Sequence, residues 1–185
     1  LNIIETGIPD LVLLEPKVFP DKRGYFFEAY QRERFRDLGI TDIFVQDNES
    51  MSAKNVLRGL HFQTPPYAQA KLVRVVKGVV QDVAVDIRTG SPTYGKWFSA
   101  ILSEENKNMM FIPAGFAHGF LTLENNTIFQ YKCSQIYHKE SEGTIAWNDP
   151  TINIKWQSNT PSISAKDQHG QALKNFKNPF SYPEK

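Results

Sequence analysis

Apolar residues in this chain fall in short runs that alternate with polar ones, a period of two that predicts strands rather than helical stripes. Near the amino end Ile3-Ile4, Leu11-Val12-Leu13-Leu14 and Val18-Phe19 are interrupted by Pro9, Pro16 and Pro20. Strands there must be short or lie at a sheet edge, because proline brings no ladder donor. Asp21-Lys22-Arg23-Gly24 predicts a turn into the strand-like run Tyr25-Phe26-Phe27-Glu28. Residues 31–38 predict a helix, with Phe35 and Leu38 on one face and Gly39 just beyond as a stop. An extended pattern returns over 43–46, and Asp47-Asn48-Glu49-Ser50 is expected to be a polar break.

The middle of the chain is β in character almost throughout. Lys71-Leu72-Val73-Arg74-Val75-Val76, Val79-Val80-Gln81-Asp82-Val83-Ala84-Val85-Asp86-Ile87 and Thr127-Ile128-Phe129-Gln130-Tyr131-Lys132-Cys133 are rich in β-branched and aromatic residues. Gly78, Thr89-Gly90-Ser91-Pro92 and Asn125-Asn126 punctuate them. Many short strands, one helix and no βα alternation predict a mostly β sandwich or barrel. Residues 168–185, polar and carrying Pro179 and Pro183, are expected to run over the surface as an irregular C-terminal extension. At 185 residues the chain, 1–185, fits one domain able to bury roughly 70% of its unfolded surface without disulfides or metals.

Charge and composition then exclude some functions. The net charge is +1, the pI is near 8.0, and no long run of one sign occurs. Neither a nucleic-acid groove nor a membrane-surface role has electrostatic support, so no nucleic-acid or membrane partner is expected. The single cysteine, Cys133, can form no intrachain disulfide, which fits a reducing compartment, most simply the cytoplasm. No apolar stretch approaches the ~20 residues of a membrane span, and the amino end lacks a signal-peptide pattern. A soluble, cytoplasmic protein is the expectation.

Two histidine stretches carry candidate chemistry. In Val56-Leu57-Arg58-Gly59-Leu60-His61-Phe62-Gln63 a guanidinium precedes an imidazole inside a run that reads as a buried strand. Ionisable groups there are costly unless each has a partner or a task. An imidazole, with an unperturbed pKa of roughly 6.5, can take and return a proton near neutrality. A structural histidine bonded to backbone is the competing reading. In an uninterrupted strand Arg58 faces away from His61, so a shared pocket requires a bulge or a strand end at Gly59.

Strand alternation places Lys71 with Val73 and Val75, and Tyr131 with Phe129 and Cys133, on faces suited to the interior. Either the two share a wet cavity, or the lysine snorkels at a strand end and the tyrosine is a core residue with its hydroxyl at the rim. In Phe111-Ile112-Pro113-Ala114-Gly115-Phe116-Ala117-His118-Gly119-Phe120 the spacing Pro-x-Gly-x-x-His resembles the second signature of the cupin superfamily. That resemblance implies a small jelly roll with a central pocket. The first cupin signature, a His-x-His pair with a carboxylate that binds metal, has no match, and His138 and His169 fall in polar stretches. Neither a metal site nor a cofactor is therefore expected.

Several longer motifs occur in one order: Arg58-Gly59-Leu60-His61-Phe62, Lys71-Leu72-Val73-Arg74, Asp82-Val83-Ala84-Val85-Asp86-Ile87-Arg88, Pro113-Ala114-Gly115-Phe116-Ala117-His118-Gly119-Phe120 and Ser164-Ala165-Lys166-Asp167. Together they resemble the dTDP-4-dehydrorhamnose 3,5-epimerases over about residues 3–167. The resemblance implies a cupin-type jelly roll with a few short helices. It also implies inversion of C3 and C5 of dTDP-4-dehydro-6-deoxy-D-glucose, whose C4 ketone acidifies both protons. Such a reaction needs a base on one face of the ring, a proton donor on the other and a group to hold the enolate oxygen. By the same resemblance these are His61, Tyr131 and Lys71, with Asp167 orienting His61. The residues alone leave Asp82, a carboxylate in an apolar strand, equally placed for that last role.

Substrate contacts are likewise implied for Arg23, Phe26, Glu28, Gln46, Asp47, Asn48, Arg58, Lys71, His118, Glu142 and Lys166, with Tyr137 stacking on thymine. Arg58 and Arg23 suit a pyrophosphate, which accepts bidentate guanidinium donors. The family implies a homodimer in which amino-terminal strands carry Arg23, Phe26 and Glu28 to the neighbour's site. Without the resemblance Arg23, Glu28 and Glu142 read as ordinary solvated surface. One departure is Ala70, where the family usually has glycine. The competing functions are an epimerase that inverts one carbon or acts on a related dTDP-4-keto-deoxysugar, a non-catalytic sugar-nucleotide-binding jelly roll, and a metal-dependent cupin oxygenase.

Overall fold

In a computed structural model that describes residues 1–182, the period-two runs form strands β1 (Asn2–Glu5), β2 (Val12–Glu15), β3 (Phe19–Asp21), β4 (Gly24–Phe26), β5 (Gln46–Ser52), β6 (Val56–Gln63) and β7 (Lys71–Lys77). They continue with β8 (Val79–Asp86), β9 (Trp97–Ser103), β10 (Met109–Ile112), β11 (Phe116–Thr122), β12 (Thr127–Cys133), β13 (Glu142–Thr144) and β14 (Ser162–Ile163). One sheet runs β1-β2-β10-β7-β12-β5, and the other runs β13-β6-β11-β8-β9 with β14 parallel to β6. Neighbours distant in sequence, such as β2 with β10 and β5 with β12, mark the crossovers of a jelly roll. The fold is the mostly β, cupin-type roll expected, with two short helices, α1 (Arg32–Asp37) and α2 (Ala165–Gln168). Among the described residues no helix is long and apolar enough to cross a membrane.

Three apolar layers hold the roll. Val73, Val75, Val80, Ala84, Leu102, Met110, Phe120 and Phe129 meet between the sheets. The alternate residues of the same strands face outward: Leu72, Met109 and Phe111 pack under Phe35 of α1, while Val83, Val85 and Ala117 join Leu60, Phe62 and Ile145. A strand buried on both faces has no polar side to show, which is why β7 and β8 read as near-continuous apolar runs. Helix α1 matches its expected span, with the Gln31 side chain accepting from Arg34 N and Gly39 beyond the end at φ 87°. The Ala70 methyl joins the layer beneath α1 and is fully buried.

Two expectations require correction. Asp47-Asn48-Glu49-Ser50 is no break but the body of β5, paired along its length with β12. It is an edge strand whose Gln46, Asn48 and Ser50 are half-buried while Asp47, Glu49 and Met51 face solvent. With both faces wet, it lacks the apolar alternation that would announce a strand. The extended pattern expected over 43–46 becomes regular strand only at Gln46.

Residues 168–182 are largely irregular, yet they do more than cover the surface. Leu173 and Phe180 are 4% and 8% exposed, and the Phe62 ring meets Phe176 and Phe180 at centroid distances of 4.9 and 6.0 Å. Thr89 N donates to Phe180 O and Tyr182 N to Thr89 O, so the segment is stitched to the turn that follows β8. Residues 183–185 of the expected extension lie outside the described residues. Leu173→Ala is expected to cost about 2–4 kcal/mol of stability, as for a leucine removed from a core. Urea unfolding measures it, and an unchanged midpoint would show that the segment does not seal the layer.

Candidate active site

The cleft is organised by a fault in the pairing of β6 with β11. Arg58 lies opposite Phe120 and His61 opposite His118, so three steps along β6 match two along β11. The extra residue is a bulge, and it puts Arg58 and His61 on the same side as His118 and Phe120. Gly59 takes φ 132°, and a Cβ there would come within 2.5 Å of Gly119 Cα. Only glycine fits that approach. Beyond the bulge the ordinary alternation sends His61 and Gln63 into the roll, and Leu60 and Phe62 into the outer layer.

The carboxylate of Asp167, on α2, lies 2.6 Å from His61 Nε2 and accepts Gly59 N–H at 3.2 Å. His61 remains 29% exposed and Asp167 only 3%. Helix α2 starts at Ser164, whose hydroxyl accepts from Asp167 N. Burial works to raise the Asp167 pKa, but the His61 bond and Gly59 N–H outweigh it and hold the carboxyl below the usual aspartate value. With the carboxylate accepting the Nε2 proton, the imidazole lone pair lies on Nδ1. The alternative partner, Asp82, is committed elsewhere: its oxygens lie 3.0 and 3.1 Å from His118 Nε2, and both groups are buried. Burial pushes the His118 pKa down despite the Asp82 carboxylate, which keeps that ring neutral.

Lys71 opens β7 and lies opposite Cys133 of β12. Its Nζ is 6.0 Å from the Tyr131 ring centroid. Among the described residues no carboxylate comes within 4.0 Å of that ammonium, and burial depresses its pKa. Burial raises the Tyr131 pKa, so the phenol keeps its proton at neutrality. His61, Lys71 and Tyr131 line one cleft of about 120 Å³ together with Gln46, Asn48, Phe62, Gln63, Gln69, Tyr137 and Glu142. At its rim the Tyr137 hydroxyl donates to Glu142 Oε2 at 3.1 Å, and Lys166 Nζ donates to Glu142 Oε1.

Other candidates lie apart. Asp47 points out of the roll to Lys132 Nζ at 2.9 Å, and Arg58 donates to Ser52 Oγ at 3.1 and 3.2 Å. Arg23 pairs with Asp21 at 2.7 Å and Glu28 with Arg34 at 3.0 Å, while Phe26 is 69% exposed on the detached β3–β4 hairpin. None of Arg23, Phe26 and Glu28 lines this chain's own cleft. Three lining residues, Phe62, Gln63 and Gln69, are not among the candidates named from the motifs; alternation from His61 is the signal that points to Gln63. No group of three or more potential metal ligands is gathered among the described residues.

An imidazole bonded to a carboxylate, a neutral phenol and an unpaired ammonium around one cleft are groups able to move protons on carbon, and the class is a cupin-fold isomerase. The sequence profile of dTDP-4-dehydrorhamnose 3,5-epimerase matches residues 5–175, and the chain belongs to that family. It is 56% identical over 167 residues to the dTDP-4-dehydrorhamnose 3,5-epimerase of Salmonella typhimurium, covering 89% of this chain and 91% of that one. The corresponding protein of Shigella flexneri is 52% identical over 172 residues, covering 92% and 95%. The crystal structure of dTDP-6-deoxy-D-glucose-3,5-epimerase from Legionella pneumophila in complex with dTDP-4-keto-L-rhamnose superposes with a TM-score of 0.95, at 48% identity and 99% coverage of both chains.

The depressed Asp167 pKa carries a pH dependence. Between its folded value and the ordinary 3.8 the unfolded chain binds more protons, so stability rises with pH there. The contribution is fully present above about pH 5 and is lost as pH falls through the folded value. Denaturant titrations at successive pH values are expected to show this acid loss diminished in Asp167→Asn. An identical profile in the variant would dissociate Asp167 from it.

Proposed function

We propose that the chain inverts C3 and C5 of dTDP-4-dehydro-6-deoxy-D-glucose to give dTDP-4-dehydro-L-rhamnose, a step in making dTDP-L-rhamnose. The C4 ketone of such a sugar delocalises the carbanion left at either neighbour, so one site can serve both carbons. His61 removes the proton through Nδ1, while the Asp167 carboxylate holds the opposite nitrogen and stabilises the imidazolium that forms. Lys71 Nζ faces the oxygen that turns anionic, and the enolate restores the proton affinity that burial takes from the ammonium. Tyr131 returns a proton from the other face, and its raised pKa keeps it loaded for that step. The observation that carries the reading is the unpaired Lys71 ammonium beside His61 and Tyr131 in one cleft.

Tyr137, 54% exposed at the rim, is the platform on which the thymine stacks, beside Glu142 and Lys166. The remaining substrate contacts come from Gln46, Asn48, Arg58 and His118, while the Asp47 side chain, turned out of the roll to Lys132, is not among them. A second copy of the chain completes the site: Phe19, Tyr25 and Phe26 are more than half exposed on the β3–β4 hairpin, an apolar surface suited to a homodimer. In that assembly Arg23, Phe26 and Glu28 serve the partner's cleft rather than their own. The enzyme works in the cytoplasm, in keeping with its free, buried Cys133.

In heavy water the protein is expected to place deuterium at both C3 and C5 of the substrate, read by NMR. Label at one carbon alone would make it a single-position epimerase, and no label a binding protein. His61→Asn is expected to abolish exchange at both carbons, and exchange near the parent rate would overturn the base assignment. Tyr131→Phe is expected to keep wash-in of deuterium but lose inversion, since His61 can return what it takes; inversion at the parent rate would exclude Tyr131 as donor. Lys71→Met is expected to lower kcat roughly 10²–10³-fold, as for loss of a group that stabilises an oxyanion. An unchanged kcat would remove Lys71 from the mechanism.

A further inference from the structure

The rim segment 135–138 crosses the mouth of the cleft with no strand beside it, and side-chain amides hold its backbone in place of one. Gln63 Nε2 donates to Ile136 O at 3.1 Å, and Gln63 Oε1 accepts His138 N–H at 2.8 Å. These two bonds bracket Tyr137 on either side, the pattern a strand partner would make. Tyr137 N–H itself donates to Gln46 Oε1 at 3.0 Å, and Gln69 Nε2 donates to Gln135 O at 2.7 Å. Tyr137 is thus gripped by its backbone while its ring stays exposed.

We infer that Gln63 is a positioning residue for the nucleobase end of the site, fixing Tyr137 as a preformed platform. The inference rests on the reading of Tyr137 given under Proposed function. Gln63 lines the cleft, but its second donor goes to Tyr67 O at 2.7 Å, so both amide hydrogens are used within the protein. It is 4% exposed and acts through the rim segment rather than on the substrate. Its place on β6, two residues past His61 and on the same inner face, means that one strand aims both the base and the platform. A ring already held in its bound place loses less conformational entropy when a nucleotide arrives.

The test is a double-mutant cycle on the full chain, with dTDP affinity measured by calorimetry and kcat and KM by turnover. Gln63→Met keeps the volume but leaves Ile136 O, His138 N and Tyr67 O unpaired. It is expected to weaken dTDP binding about tenfold and to change KM more than kcat. In a Tyr137→Ala background the same substitution is expected to change the dTDP Kd by less than about twofold, because the ring it positions is gone. A merely structural role would lower affinity equally in both backgrounds, and that result, or parent-like binding by Gln63→Met, overturns the assignment. If Gln63→Met does not fold, Gln69→Met enters the same cycle with a smaller effect of the same pattern expected, and additive losses overturn it. A parent chain that fails to bind dTDP would overturn the site reading itself, and the clamp with it. Failure of the clamp alone leaves parent binding intact.

Discussion

Everything in the cleft depends on two glycine backbones lying almost in contact. Gly59 and Gly119 approach so closely that a methyl on either would strike the other strand, and this approach closes the bulge that turns Arg58 and His61 to one side. Without the extra residue, alternation would send either the guanidinium or the imidazole out of the roll. The same bulge frees Gly59 N–H from ladder duty and offers it to Asp167, so the carboxylate that holds His61 is itself held by the strand it serves. One irregularity therefore sets the direction of the His61 imidazole and the place of the carboxylate bonded to it.

Around that imidazole, low dielectric acts in opposite directions on two neighbours. Burial pushes the Lys71 ammonium toward neutrality and keeps the Tyr131 phenol protonated, so each charged form is costly there. In the proposed reaction an enolate reverses the balance for the lysine, which makes its stabilisation selective for the intermediate over the ketone. The buried pair of Asp82 and His118, next to His61 along the ladder, spends its carboxylate on one ring and leaves Asp167 to the other. Two histidines on adjacent strands thus keep separate partners.

Much of this was legible along the chain, and the limits have physical causes. The strands with an apolar face, β7, β8 and β12, declare themselves by alternation or continuous burial, and α1 by its spacing and its glycine stop. Strand β5 escapes because a wet cleft on one side and solvent on the other leave it no apolar face. The packing role of residues 168–182 escapes because Leu173, Phe176 and Phe180 are spaced by a path over a sheet rather than by a helix or strand period. Gln63 was within reach of the alternation rule, but its work shows only when the segment it brackets is in place.

By itself the sequence determined the mostly β class, the inward face of Lys71 and Tyr131, and the requirement for a bulge or break at Gly59, because each follows from local period and sterics. Which carboxylate reaches His61 could be decided only in three dimensions. Asp82 and Asp167 are equally eligible as residue types, and the choice depends on where α2 lands after more than one hundred intervening positions. The separation of Arg23, Phe26 and Glu28 from the cleft of their own chain is also a tertiary result, since no local pattern fixes where the β3–β4 hairpin lies relative to the roll.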